Sequence, residues 1–308
     1  MTARRILLAG PRSFCAGVDR AIEIVERSLD RFGPPVYVRR QIVHNLHVVR
    51  ALEAKGAIFV DELDEVPADA VVVFSAHGVA PPVRSEAARR GFTVIDATCP
   101  LVAKVHTEVR RFASQGYQVV LIGHPDHDET EGTLGEASGI QIVEVPEDVA
   151  QVHTNDPTKV AYITQTTLAV DEAAETVAAL RSRYPDLVGP HADDICYATQ
   201  NRQDAVRAIA SECDLILVIG SRNSSNSNRL VEVARRAGTR AELLDDESEL
   251  EFTWLEGAAT IGITAGASAP ELLVDRLVET IRSLGPVTVE ERLATTETVH
   301  FTLPPEVR

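Results

Sequence analysis

No stretch of this 308-residue chain is dominated by Lys and Arg: 30 basic residues stand against 46 acidic ones, for a formal charge of −16. With a pI near 5.0, the chain lacks the basic face that a nucleic acid backbone demands, so no nucleic acid is expected as a partner. Any phosphate it binds must be small and locally held. No apolar run approaches the roughly 20 residues that span a bilayer, and no membrane association is expected. The opening MTARRILLAGPRSFC leads into a strand-like segment rather than a cleavable signal, which points to the cytoplasm. The fingerprints G-x-x-x-x-G-K-[ST] and G-x-G-x-x-G are both missing, so a P-loop NTPase or a Rossmann dehydrogenase lacks its signature. Cysteines number only four, lie far apart and form no C-x-x-C pair. That argues against disulfide staples in a reducing compartment and against a structural zinc site.

What is present is ordinary globular material, 44% hydrophobic and 25% charged, long enough for two or three compact units. Val/Ile/Leu-rich runs alternate with amphipathic stretches. Strands are predicted at 6–10, 35–40, 70–78, 92–99, 118–124, 159–167, 214–221 and 259–268, and helices at 17–32, 45–55, 81–90, 100–115, 171–184, 200–211, 224–237 and 270–283. This alternation is the mark of βαβ units and an α/β fold with parallel sheets. Strand pairs beginning at Ala70/Phe92, Gln118/Lys159 and Asp214/Ala259 form a degenerate repetition that fits three similar α/β lobes.

Seven of these strands end in polar or small residues: GPRSFC, SAHG, DATC, GHPDHDE, TQTT, GSRNSSN and TAGAS. In open parallel sheets the ligand crevice lies beyond the carboxyl ends of the strands, where helix N-termini also point. Cys15 and Cys99 each follow a strand and precede a helix, and Cys196 also stands just ahead of one. A helix N-terminus stabilises the thiolate, the form that binds metal. Cys213 precedes 214–221 at its amino end and reads as a small buried apolar residue. Three thiolates from separate segments suit an iron–sulfur cluster or, less well, zinc. Either would keep one coordination position open, as catalytic metal sites do.

His44, His77, His124 and His127 also fall at or near strand carboxyl ends. Ser224, Ser225 and Asn226, inside SRNSSNSNR, open a helix whose donors can hold phosphate oxygens. A helix cap needs one such residue, and this segment supplies seven. Glu129 and the pair Thr166/Thr167 offer an acid and its relay. The same Cys/His set also fits a zinc or cysteine-dependent hydrolase, or a non-catalytic iron–sulfur sensor of a phosphorylated metabolite.

Taken together, PRSFCAGVDRAI, VHN, FSAHGV, DATCPLVAKVH, HDETEGT, TQTTL, DDICYATQNRQ, SRNSSNSNRL and TAGASAP resemble the 4-hydroxy-3-methylbut-2-enyl diphosphate reductases. These iron–sulfur enzymes end the methylerythritol phosphate route to isoprenoids. The resemblance runs from about Ile6 to Pro270, in family order. It implies three α/β lobes in a pseudo-threefold arrangement around a central cluster. The lobes are expected at 16–99, 100–195 and 1–15 plus 196–283, with 284–308 as a C-terminal extension. It also implies a [4Fe–4S] cluster on Cys15, Cys99 and Cys196 with the remaining iron open to substrate. His44, His77, His127, Ser224, Ser225, Asn226 and Ser268 fall on diphosphate-gripping positions. Glu129 and Thr166 fall on proton-delivery positions, and Thr167 lies beside them as a substrate-binding residue.

The implied reaction is reductive removal of the allylic hydroxyl, giving isopentenyl and dimethylallyl diphosphates. Reduced ferredoxin or flavodoxin is the implied electron donor. Two departures are visible. Ser13 stands where the family usually has Gly, and the family reads HPE where His127-Asp128-Glu129 stands. Asp128 adds negative charge near the implied diphosphate pocket.

Overall fold

In the computed structural model, which describes residues 4–308, every paired strand runs parallel to its neighbour. The strands are β1 (Arg4–Gly10), β2 (Val36–Arg39), β3 (Ala57–Val60), β4 (Val71–Phe74), β5 (Thr93–Asp96) and β6 (Gln118–Ile122). They continue with β7 (Gln141–Val143), β8 (Val160–Thr164), β9 (Leu215–Ile219), β10 (Arg240–Leu244), β11 (Thr260–Ala265) and β12 (Val287–Leu293). The helices are α1 (Ala16–Phe32), α2 (Leu46–Glu53), α3 (Pro81–Arg89), α4 (Pro100–Ser114) and α5 (Asp128–Leu134). After them come α6 (Val170–Arg183), α7 (Tyr197–Ala210), α8 (Ser225–Arg236) and α9 (Glu271–Ser283). No helix among the described residues is long and apolar enough to cross a membrane.

The chain divides into two compact units. The first takes in the chain up to Asp19, Val43–Ala51 and Tyr197–His300, and holds a five-stranded sheet in the order β10-β9-β11-β1-β12. Its interior strand β9 is buried at all five positions, as a parallel strand covered on both faces must be. Ile6, Leu217 and Ile263 pack with Leu273, Leu277 and Ile281 of α9 on one face. Leu7, Ile216 and Val218 meet Val206, Ile209 and Leu230 of α7 and α8 on the other. Truncating a fully buried leucine such as Leu217 to Ala would cost about 2–5 kcal/mol.

The second unit comprises Arg20–Ile42, Leu52–Cys196 and Phe301–Arg308, with a four-stranded sheet β3-β2-β4-β5 and a three-stranded sheet β7-β6-β8. Val72 and Phe74 pack against Ala87 of α3. Leu121, Ala161 and Ile163 pack against Val105, Val109 and Phe112 of α4. The helix that begins just after Cys99 is thus seated on the next sheet along the chain.

The three predicted strand pairs are neighbours in three different sheets, β4/β5, β6/β8 and β9/β11. The α/β reading with parallel sheets holds. Four strands escape the sequence pattern: β3, β7, β10 and β12. All four are sheet edges, short or studded with polar residues, as edges must be to avoid further pairing. Helix α5 lies outside the helices expected from sequence, and α7 begins at Tyr197 rather than at 200. Residues 1–3 of the segment 1–15 lie outside the described residues.

Candidate functional site

Three of the four cysteines share one local construction. Cys15 donates its amide to the carbonyl of Ala267 at 3.3 Å, Cys99 to Ala76 at 2.9 Å and Cys196 to Thr166 at 3.0 Å. In each case the acceptor stands two residues beyond the end of a strand, β11, β4 or β8. The residue after each acceptor is Ser268, His77 or Thr167. Each cysteine also stands immediately before a helix, α1, α4 or α7. The repetition faintly visible in sequence is therefore a repeated hydrogen-bonding unit. Cys213 differs: its amide closes a local turn onto Ala210 at 3.2 Å, and it packs with the apolar core.

The thiols differ in chemistry as well. Burial pushes the Cys15 thiol up, while the Arg202 guanidinium and the amides of Val18 and Gly17 pull it down. Burial is the largest of these, and the amides are those of a helix start. Cys99 caps α4 without using its side chain in the cap. The Cys213 thiol is pushed up to about 12, chiefly by burial, and stays protonated.

Within the second unit, Glu129 lies in the first turn of α5 and is buried to 2% exposure. His127 caps that helix, its Nδ1 accepting the Glu129 amide at 3.1 Å. Thr166 donates its amide to Glu129 Oε1 at 2.7 Å and its hydroxyl to Oε2 at 2.9 Å. Burial pushes the Glu129 carboxyl up to about 7, against the lowering effect of the two Thr166 bonds, and the Asp194 charge adds to the rise. Thr166 therefore touches the Glu129 carboxyl with its amide and hydroxyl, and a cysteine peptide with its carbonyl. Thr167 accepts a hydrogen bond from Gln165 at 3.0 Å. Gly132 of α5 must be small, since a Cβ there would come within 3.3 Å of the Gly78 backbone beside His77.

His77 and His127 meet edge to face, ring centres 5.7 Å apart. Asp128, the departure next to them, is hydrogen-bonded to Arg40, and Arg40 also pairs with Glu131 at 2.8 Å. One oxygen of the added carboxylate is therefore met by a guanidinium, while Oδ2 lies 3.9 Å from His77 Nδ1. Arg40, in a left-handed backbone conformation at φ +56, was not singled out from sequence.

Within the first unit, Ser224 caps α8, and Ser225 and Asn226 form its first turn, all buried. Asn226 Oδ1 accepts the Ala267 amide at 2.8 Å, while its Nδ2 is buried with no hydrogen-bond acceptor. An orphaned donor at a helix N-terminus is what an anion would satisfy. Ser268 donates its hydroxyl to the His44 carbonyl at 2.9 Å and lies 3.5 Å from Ser224 Oγ. His44 Nδ1 is 3.3 Å from Asn223 Nδ2. Gly266 must be small because a Cβ would collide with Ser227 Oγ at 2.1 Å. Asn226 and Glu129 are counterparts: each stands two residues past its helix cap and accepts the amide two residues beyond a strand.

The second departure is also explained. Ser13 adopts φ +61, the left-handed region that favours glycine. Its hydroxyl donates to Glu271 in partial compensation. His124 pairs with Glu144 at 2.7 Å on the molecular surface.

Comparison with known proteins adds the following. The model of the LytB protein family matches residues 6–282. The chain is 58% identical over 309 residues to the 4-hydroxy-3-methylbut-2-enyl diphosphate reductase of Aromatoleum aromaticum, covering all of this chain and 99% of that protein. It is also 58% identical to the reductase of that name from Acidothermus cellulolyticus, covering 99% and 90%. Among solved structures, the E-1-hydroxy-2-methyl-but-2-enyl-4-diphosphate reductase of Plasmodium falciparum matches with a TM-score of 0.95 at 37% identity, over 99% of this chain and 97% of that one.

Proposed function

Because the chain belongs to the LytB protein family, we infer that it removes the hydroxyl of (E)-4-hydroxy-3-methylbut-2-enyl diphosphate reductively, yielding isopentenyl and dimethylallyl diphosphates. The observation that carries this is identity over the whole length: 58% across all of this chain and 99% of a reductase so named. The reaction is the last step of the methylerythritol phosphate pathway.

The family implies an iron–sulfur cofactor, and the donor set fits one. Three soft sulfur ligands stand at helix starts in one repeated setting, while the fourth stands ahead of a strand with its amide turned onto Ala210. The finer reading assigns a [4Fe–4S] cluster to Cys15, Cys99 and Cys196. When bound, the cluster supplies electrons singly and, through an open iron, a Lewis acid for the hydroxyl oxygen. Its electrons would come from reduced ferredoxin or flavodoxin, in a cytoplasmic setting that keeps the thiols reduced. The lobes at 16–99, 100–195 and 1–15 plus 196–283, with 284–308 as an extension, belong to the same reading. What supports the three lobes is one parallel sheet in each, the third taking its edge strand β12 from within 284–308.

The chain's own groups do the rest. Glu129 holds a proton at neutral pH because its carboxyl sits near 7, and Thr166 Oγ1, 2.9 Å from Oε2, passes it toward the departing hydroxyl. Ser224, Ser225, Asn226 and Ser268, with His44, bind the diphosphate at the α8 N-terminus. His77, His127 and Thr167 are the substrate-binding groups of the second unit. Fixing the substrate by its diphosphate keeps the reacting carbon in register. Delivery of the second proton to either end of the allyl unit gives the two products.

Anaerobic turnover of the hydroxylated diphosphate with reduced methyl viologen tests the reading. Both products should form. A colourless, zinc-loaded protein that hydrolyses phosphate esters instead would refute it.

A further inference from the structure

Each candidate ligand cysteine is followed, on the helix it precedes, by a cation. Arg20 stands five residues after Cys15, Lys104 five after Cys99 and Arg202 six after Cys196. Their hydrogen bonds go to the peptide leading into a different cysteine. Arg20 Nη1 donates to the carbonyls of Ala97 and Thr98 at 3.2 and 3.1 Å, the two residues before Cys99. Lys104 Nζ donates to Ala192 and Asp193 at 2.6 and 2.9 Å and lies 3.2 Å from Asp194 Oδ1, just ahead of Cys196. Arg202 donates to Ser13 at 3.1 Å through Nε and 2.7 Å through Nη2, and to Phe14 at 3.3 Å, the two residues before Cys15. The order closes on itself. The helix after Cys15 braces Cys99, the helix after Cys99 braces Cys196, and the helix after Cys196 braces Cys15.

Two effects compete to explain such a ring: a positive field behind each thiolate, or mechanical support of each loop. Arg202, with no exposed surface, pairs with Glu297 at 2.9 Å. Lys104 pairs with Asp194, whose side chain is fully buried. With carboxylates so close, most of the charge of these two is cancelled at longer range. The directed bonds to consecutive carbonyls remain. For Lys104 and Arg202 support outweighs field, and Arg20 makes the same paired bonds to the carbonyls before Cys99.

We propose that Arg20, Lys104 and Arg202 are positioning residues that fix, in cyclic order, the loops presenting Cys99, Cys196 and Cys15 to the cluster. The proposal rests on those cysteines being the ligands. Outer-shell partners of a metal ligand are worth about 10–100-fold in metal affinity, and three braces on three separate segments let the fold hold a ligand set with no local Cys-x-x-Cys unit.

The test uses anaerobically purified protein with its cluster, challenged with an iron chelator and iodoacetamide. Iron loss is followed with time, and the first alkylated cysteine is mapped by mass spectrometry. Lys104 is partly exposed, so Lys104→Met should fold. It should lose iron about tenfold or more faster than the parent, with Cys196 alkylated first rather than its sequence neighbour Cys99. Lys104→Arg should restore the parent behaviour. Arg20→Met should open Cys99, and Arg202→Lys should open Cys15. Arg235→Met, which removes a guanidinium bonded to the Ala241 carbonyl far along the sheet, should change nothing.

Alkylation of Cys99 first in Lys104→Met, equal labelling of all three cysteines, or iron retention equal to the parent would overturn the proposal. A parent preparation without iron would overturn the cofactor reading and the ring with it, and would show before any variant is compared.

Discussion

Replacing Glu129 with Gln separates proton donation from architecture. The carboxyl is pushed from 4.5 up to about 7 by burial, which at about 1.4 kcal/mol per pH unit is about 3 kcal/mol held against the charged form. A Gln side chain keeps the size, accepts the Thr166 amide through its oxygen and can donate to the Thr166 hydroxyl. Asn226 already does this backbone task with an amide oxygen, 2.8 Å from the Ala267 nitrogen. Substrate affinity should therefore change little, while kcat under methyl viologen should fall about 10²–10⁴-fold, the usual loss for a positioned general acid, or about 3–5 kcal/mol of barrier. In the parent, kcat should decline as pH rises past 7, because the acid must be protonated. Stability carries the same signature. The folded-state value lies above the unfolded one, so stability is fully present below about pH 4.5 and drains away up to about 7, by about 3 kcal/mol. In Glu129→Gln that slope should vanish, leaving the variant more stable than the parent at pH 8. Turnover within threefold of the parent, or a melting temperature that tracks pH identically in both, would refute the reasoning.

Asn226→Ala removes a buried donor aimed at an anion, and should raise substrate Kd by about tenfold or more with iron content intact; titration calorimetry checks it. Asp128→Asn should shift substrate Kd by less than a factor of about three, because Arg40 already meets that charge. Ser13 should show an ordered response in thermal melts. Ser13→Gly loses the bond to Glu271 but relieves a left-handed backbone worth about 1–2 kcal/mol, whereas Ser13→Ala loses the bond and keeps the strain. The alanine variant should melt lower than the glycine variant, and the reverse order would remove the strain argument.

The sequence made the buried parts of this molecule legible. Leu215–Ile219 is a run of five apolar residues, which only a covered strand tolerates, and the six strands that form the repeated pairs were all found. Four of the six edges were not legible, as where β7 has three residues or β12 carries Glu290, Glu291 and Arg292 on a strand with one free side. Helix α5 was hidden by its seven-residue length and its glycine, although it carries Glu129. The cysteines could be sorted locally, since a cysteine before a helix differs from one before a strand. Roles for Glu129 and the histidines came from resemblance rather than from spacing. The cation ring was invisible for a further reason. Each cation is correctly spaced from one cysteine but bonds the carbonyls before another, 77 residues away for Arg20 and Ala97, and local spacing carries no record of that closure.

The central claim is that Cys15, Cys99 and Cys196 hold the cluster and Cys213 does not. Iron per chain, measured in the single Cys→Ser variants after anaerobic purification, tests it most directly. The account predicts loss of iron in Cys15→Ser, Cys99→Ser and Cys196→Ser, and parental iron in Cys213→Ser. Full iron in Cys99→Ser, or its loss in Cys213→Ser, would contradict it.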